Sequence, residues 1–178
     1  MKRRDLEHVI RAAANIADDD EIVVIGSQAI LGEFPDAPDE LCVSNEADVF
    51  PLNKPERWEL IDGAIGELSP FHETFGYYAQ GVQEGTAVLP DGWRNRLVRI
   101  SNPNTRGAAG LCLEVHDLAL SKYVAGREKD RRFVRAAIRH GLLSHDVLLE
   151  RLHATPVEDS SRARIAAIIE TDFAATGH

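Results

Sequence analysis

The run Ile22-Val23-Val24-Ile25, closed by Gly26-Ser27, constrains this chain more than any other stretch. Four consecutive β-branched residues read as a buried strand. Gly26 then permits close backbone approach or unusual dihedrals, and Ser27 offers a hydroxyl and a helix cap. Residues 28–31 predict a short helix, and residues 32–44, with Pro35 and Pro38, an exposed loop. Residues 45–52 predict a second strand, in which Glu46 and Asp48 project to the same face. Two carboxylates held together repel each other. Mg²⁺ relieves that repulsion, takes oxygen ligands and keeps waters for substrate phosphates. A Gly-Ser turn opening a helix presents backbone N–H groups to a phosphate. Taken singly, the turn is an ordinary turn and the acid pair an ordinary wet edge. In this order they describe a corner that holds phosphate and metal side by side.

The rest of the composition bounds that reading. At 178 residues the chain accommodates one sizeable domain, or a small core with a helical appendage. Its 44% hydrophobic and 28% charged content is that of an ordinary globular protein. No apolar run approaches the roughly 20 residues of a membrane helix, and charges interrupt the N-terminal stretch throughout, so the expected setting is cytoplasmic, away from membranes. Cys42 and Cys112 lie far apart and read as reduced, buried or half-buried side chains. A net charge of -9 argues against coating DNA or RNA broadly, because phosphate neutralisation needs cations.

Along the chain, residues 5–17 space Leu6, Val9, Ile10, Ala13 and Ile16 as one face of an amphipathic helix. The acidic run from Asp18 to Glu21 reads as a solvated connector. Residues 55–66 predict a helix opened by Pro55. Residues 68–89 predict a loop followed by a β-hairpin around Gly81 and Gly85, and residues 93–100 a half-buried strand. A polar Pro/Gly linker at 101–110 marks a boundary. A last strand at 111–115 precedes one long helix over 116–143, with further helices starting at Asp146 and at Ser160 or Ser161. The organisation is an α/β (α+β) core over residues 1–110. Residues 111–178, the last strand and a C-terminal helical part, are expected to pack on it.

The segment 114–130, EVHDLALSKYVAGREKD, adds cations. On a single helix Lys122, with Arg127 or Lys129, aims at one pocket, where such groups stabilise charge on a leaving pyrophosphate. In isolation the same segment is a salt-bridged surface helix. Between residues 127 and 139 six cations face Glu128 and Asp130, a local basic excess suited to RNA or to an acidic partner. His72, Tyr77 and Tyr78 supply aromatic rings able to stack on a base, although packing is their commoner use.

Ile25-Gly26-Ser27, Glu46-Ala47-Asp48 and the helical block from Asp117 to Asp130 together resemble the minimal nucleotidyltransferases of the DNA polymerase β superfamily. The resemblance covers roughly residues 22 to 135 and is most similar to the bacterial AbiEii-like toxins of type IV toxin–antitoxin systems. It implies a polymerase-β-type core, a mixed sheet flanked by helices, with a C-terminal helical segment. It implies that Gly26 and Ser27 hold nucleotide phosphates and that Glu46 and Asp48 bind Mg²⁺. Lys122, helped by Arg127, Lys129 or Asp130, would complete the site. The implied reaction moves a nucleoside monophosphate from an NTP to RNA (tRNA), protein or a small molecule, with an antitoxin as partner. Two features depart from the family pattern. Ser27 and Glu46 are separated by 18 residues, a long loop, and the third carboxylate has only Glu114 to fill it. The alternative is therefore a weak or inactive relative that binds a nucleotide or a protein. A domain with no ligand at all is the third reading.

Overall fold

In the computed structural model, which describes residues 1–176, the chain divides into two units. The first comprises Met1–Thr86 and Leu97–Glu114; the second comprises residues 87–96 and the chain from Val115 onward. The first unit begins with α1 (Arg3–Ala17), β1 (Glu21–Val24), a 3-10 turn (Ser27–Ala29) and α2 (Ile30–Glu33). It continues with β2 (Glu46–Pro51), α3 (Trp58–Ile65), α4 (Pro70–Phe75) and β3 (Tyr78–Gly81). After the chain has visited the second unit, β4 (Val98–Ile100) and β5 (Ala109–Cys112) complete it.

These strands form one mixed sheet in the order β3-β2-β1-β5-β4. β1 runs antiparallel to β2 and parallel to β5, and β2 runs parallel to β3. Ile22, Val23 and Val24 are fully buried because β1 is the central strand. Three close approaches show which face the helices cover. A side chain on Gly110 would strike Ile10 of α1, one on Gly32 of α2 would strike Cys112, and one on Gly81 would strike the backbone of α3. The registers place Ile22, Val24, Ala47 and Val49 on that same covered face. Glu46, Asp48 and Tyr78 project from the other.

The structure departs from the sequence pattern at several points. Residues 81–85 make no hairpin: β3 pairs in parallel with β2, and α4 precedes it, capped by Ser69 and stopped by Gly76 at φ 75°. Only Val98–Ile100 of the predicted 93–100 strand is extended, since Trp93–Arg96 is a 3-10 turn. The 101–110 segment is not the boundary, because β5 begins within it and belongs to the sheet. Asp19, read as solvated, is buried. It accepts from the backbone N–H groups of Glu21, Asn53 and Lys54 at 3.1, 2.7 and 3.0 Å, tying the start of β1 to the end of β2. Cys42 and Cys112 are buried free thiols, and burial pushes the Cys112 thiol up to about 12.

The second unit holds α5 (Val115–Ala125), α6 (Glu128–Arg139), α7 (His145–His153) and α8 (Asp159–Thr176). The predicted single helix over 116–143 is two helices, parted at Gly126 with φ 67°. Buried carboxylates organise the unit. Asp117, fully buried, takes Arg96 at 2.8 Å and Arg151 at 3.1 Å, so residues 87–96 are fastened to α5 and α7. Asp172 on α8 accepts from Tyr123 at 3.2 Å and pairs with Arg135 at 2.7 Å. Among the described residues no helix is long and apolar enough to cross a membrane.

Candidate functional site

At the end of β1 the backbone turns at Gly26, whose φ of -83° and ψ of -172° suit any residue. Glycine is required there for space. A Cβ on Gly26 would lie 1.8 Å from Asp48 Oδ2 and 2.8 Å from its Cγ, so the turn and the carboxylate are in direct apposition. The ladder continues to this point, with Ile25 N–H donating to the Asp48 carbonyl at 3.0 Å. The 18-residue loop therefore does not separate the two motifs in space. Gly26, not Ser27, stands at the cap position of the 3-10 turn, so the cap expected of Ser27 is not formed; Ser27 is its first residue.

Along β2, Ala47 and Val49 are buried while Glu46 and Asp48 are half-exposed; Phe50, on the same face as the two acids, is buried, so that face is open only over the first part of the strand. Glu46 is held by a neighbour: the Tyr78 hydroxyl donates to its Oε2 at 2.9 Å. Parallel pairing sets Tyr78 opposite Glu46 and Gln80 opposite Asp48. The Tyr78 hydroxyl is pushed well above the ordinary tyrosine range, first by burial and then by the Glu46 carboxylate, so it stays a donor. His72 packs on the Tyr78 ring with centroids 4.6 Å apart. In the sequence His72 and Tyr78 read as rings that pack or stack; the link to Glu46 depends on a parallel register that no local pattern reports.

Glu114 lies two residues beyond β5, half-buried. Since β5 is parallel to β1, it comes to the same edge of the sheet as Gly26. It does not complete a triad, because among the described residues no three His, Cys, Asp or Glu side chains gather into a group that could hold a metal ion. The strand next to the acid pair offers Tyr78 and Gln80 in place of a third carboxylate.

The remaining residues belong to the second unit. Lys122 is buried, its Nζ 3.3 Å from Asp130 Oδ1 and 4.5 Å from the Phe133 ring centroid. Arg127 Nε reaches Asp130 Oδ2 at 2.6 Å, and Lys129 is exposed. Burial pushes the Asp130 carboxyl up, but Arg127 and Lys122 outweigh it and hold the group below its ordinary range. The break at Gly126 means that these groups do not share one helix. Instead they clasp α5 to α6 around a buried carboxylate.

A model of the family described as nucleotidyltransferase of unknown function (DUF6036) matches residues 4–173. The chain belongs to this nucleotidyltransferase family. The match runs through both units, so Gly26, the β2 carboxylates and the Lys122 helix all lie within the family's own span. The mixed sheet with flanking helices is consistent with a nucleotidyltransferase-type fold. No curated protein and no solved structure matches the chain.

Two half-exposed carboxylates on one strand face are hard oxygen donors of the kind a divalent cation takes. One is braced by a hydroxyl and the other by a turn with no side chain.

Proposed function

We propose that this nucleotidyltransferase-family chain moves a nucleoside monophosphate from an NTP to an acceptor hydroxyl, releasing pyrophosphate. The observation that carries the reading is the apposition of Gly26 to Asp48, which leaves no room for a side chain between turn and carboxylate. In this reading Glu46 and Asp48 hold Mg²⁺, and the backbone at Gly26 and Ser27 faces the phosphates. Bound Mg²⁺ supplies charge neutralisation and alignment of attacking and leaving oxygens. Tyr78 orients Glu46 by its hydrogen bond, and Gly26, having no side chain, leaves the space that the Asp48 carboxylate occupies. The acceptor oxygen forms a bond to the α-phosphorus as the bond to the bridging oxygen breaks, and the hydroxyl proton leaves to solvent. The acceptor is RNA, protein or a small molecule, in a cytoplasm that supplies both NTP and Mg²⁺. The resemblance to AbiEii-like toxins adds a toxin–antitoxin setting, in which inducing the chain alone arrests growth.

One observation favours a second reading, a relative that binds nucleotide without turning it over. The strand beside the acid pair carries Tyr78 and Gln80, and among the described residues no group of three His, Cys, Asp or Glu side chains forms that could hold a metal ion. Incubation with each labelled NTP, Mg²⁺ and total RNA or protein separates the two. Label transfer with pyrophosphate release, abolished in Asp48→Ala, supports the transferase. Calorimetric binding of Mg-NTP with no transfer to any acceptor supports the second reading. No binding of any Mg-NTP defeats both.

A further inference from the structure

A second feature of the first unit lies on the covered side of the sheet. A cavity of about 690 Å³ is bordered by α1, the end of α4 and the segments entering β2 and β3. That volume lies within the roughly 300–1,000 Å³ of small-ligand pockets. Asn45 and Tyr77, which line it, stand just ahead of β2 and β3, and α1, which supplies the facing wall, covers the side of the sheet opposite the carboxylates. The cavity is thus a different place from the Glu46–Asp48 corner.

Its lining combines cations with aromatic rings. Lys2, Arg4 and Arg11 border it against a single acid, Asp5, a local positive excess on a chain whose net charge is -9. The Arg11 guanidinium is held by a neutral group, donating to the Asn104 carbonyl at 2.6 Å. Arg4 reaches no nearer than 3.7 Å to Asp5, with its side chain 87% exposed. Phe75 forms an aromatic wall and stays 47% exposed, unusual for a phenylalanine. It is buttressed from within: Phe71 lies 4.9 Å away, His8 meets its ring edge-on at 4.7 Å, and Tyr77 stacks at 6.0 Å. His8 Nδ1 shares a 2.9 Å hydrogen bond with the Tyr77 hydroxyl, which locks the cluster. Burial, and then Arg11, hold His8 below its usual value, so the cluster adds rigidity without charge.

An exposed, braced ring flanked by guanidinium groups matches a ligand that is planar at one end and anionic at the other. We infer that this cavity is a second binding site for a nucleotide unit, its base stacked on Phe75 and its phosphate held by Arg4 and Arg11. Aromatic stacking and cation pairing are the two means by which proteins hold nucleotides of any sequence. The unit is either a free nucleotide or one residue of a single strand, and the chemistry is the same. The inference does not depend on catalysis at the carboxylates.

The test uses the full chain carrying Asp48→Ala, in EDTA, so that divalent-dependent binding at the other face is removed. Fluorescence anisotropy follows a labelled adenosine monophosphate and a labelled short single-stranded oligoribonucleotide. Binding that weakens as salt rises is expected. Arg4→Glu and, separately, Phe75→Ala should each weaken it by about tenfold or more, with the melting temperature retained. Equal affinity for both probes identifies a free-nucleotide pocket, and binding of the oligonucleotide alone identifies a strand subsite; either supports the inference. If Phe75→Ala disturbs the fold, Arg4→Glu decides, since that side chain lies at the surface. Failure of both probes to bind, or unchanged affinity in Arg4→Glu, overturns it.

Discussion

Gly26→Ala isolates the geometry on which the proposed site rests. The backbone at Gly26 is in an ordinary extended region, so alanine brings no dihedral strain. The added Cβ would arrive 1.8 Å from Asp48 Oδ2, 2.8 Å from Cγ and 3.0 Å from Cβ. The carboxylate must swing away, or the turn must retreat by more than an ångström. Because Asp48 is half-exposed, rotation is the cheaper response, at about 0.5–1.5 kcal/mol for an off-rotamer side chain. In a chain of this size that is a melting shift of only about 1–6 °C. The chemistry suffers more, since misplacing a reacting group by about 1 Å costs on the order of 100-fold. Pyrophosphate release should therefore fall by about 100-fold in a protein that still melts cooperatively. Gly26→Ala with full activity would refute the reasoning, because the carboxylate would then be free to work from elsewhere. A collapse of the fold would refute it too, by showing that the glycine serves packing.

Other perturbations address the supports of the site and of the two units. Tyr78→Phe removes the hydroxyl that orients Glu46 and keeps the ring on His72; turnover should fall severalfold and recover in part at higher Mg²⁺, which a merely structural loss would not do. Asp19→Ala strips an acceptor from three backbone N–H groups and should cost about 2–3 kcal/mol by urea denaturation. Lys122→Ala leaves buried Asp130 with Arg127 alone and should lower stability by about 3 kcal/mol in the same assay. The pH dependence follows from the same groups. Burial raises Glu7, Asp19 and Asp130, but hydrogen bonds and cations prevail and leave all three lowered when folded. Their contribution is full above the ordinary carboxyl range and is lost as pH falls through the folded values. The denaturation midpoint should thus hold steady near neutrality and drop below about pH 4, less steeply in Asp19→Ala.

What the sequence disclosed was what short-range patterns carry. The β-branched run and its Gly-Ser stop announced β1 and the turn, and the alternation at Glu46-Ala47-Asp48 announced a strand with one wet face. Helix α4 carries its own signals, Ser69-Pro70 at its start and Gly76 at its end, in a stretch whose glycines also suit a hairpin. Gly126 likewise marked the end of α5 in what read as one continuous helix. Long-range pairing left no local trace. β3 joins a parallel partner some thirty residues upstream, and without that register Tyr78 has no visible reason to meet Glu46. Asp19 looked solvated because its partners, Asn53 and Lys54, come from the far end of β2. The two aspartates of the helical block are buried counter-charges, Asp117 for two arginines and Asp130 for Lys122 and Arg127. A salt-bridged helix and a cationic site use the same letters, and only burial tells them apart.

The central claim is that Glu46 and Asp48 form a divalent-ion site that serves nucleotide chemistry. It is tested most directly by titrating Mg-NTP and, separately, Mg²⁺ alone into the wild-type protein and into Asp48→Ala by calorimetry, with melting temperatures measured alongside. The account predicts Mg²⁺-dependent NTP binding to the wild type and its loss in Asp48→Ala with the fold intact. Equal Mg-NTP affinity in the two proteins would contradict it.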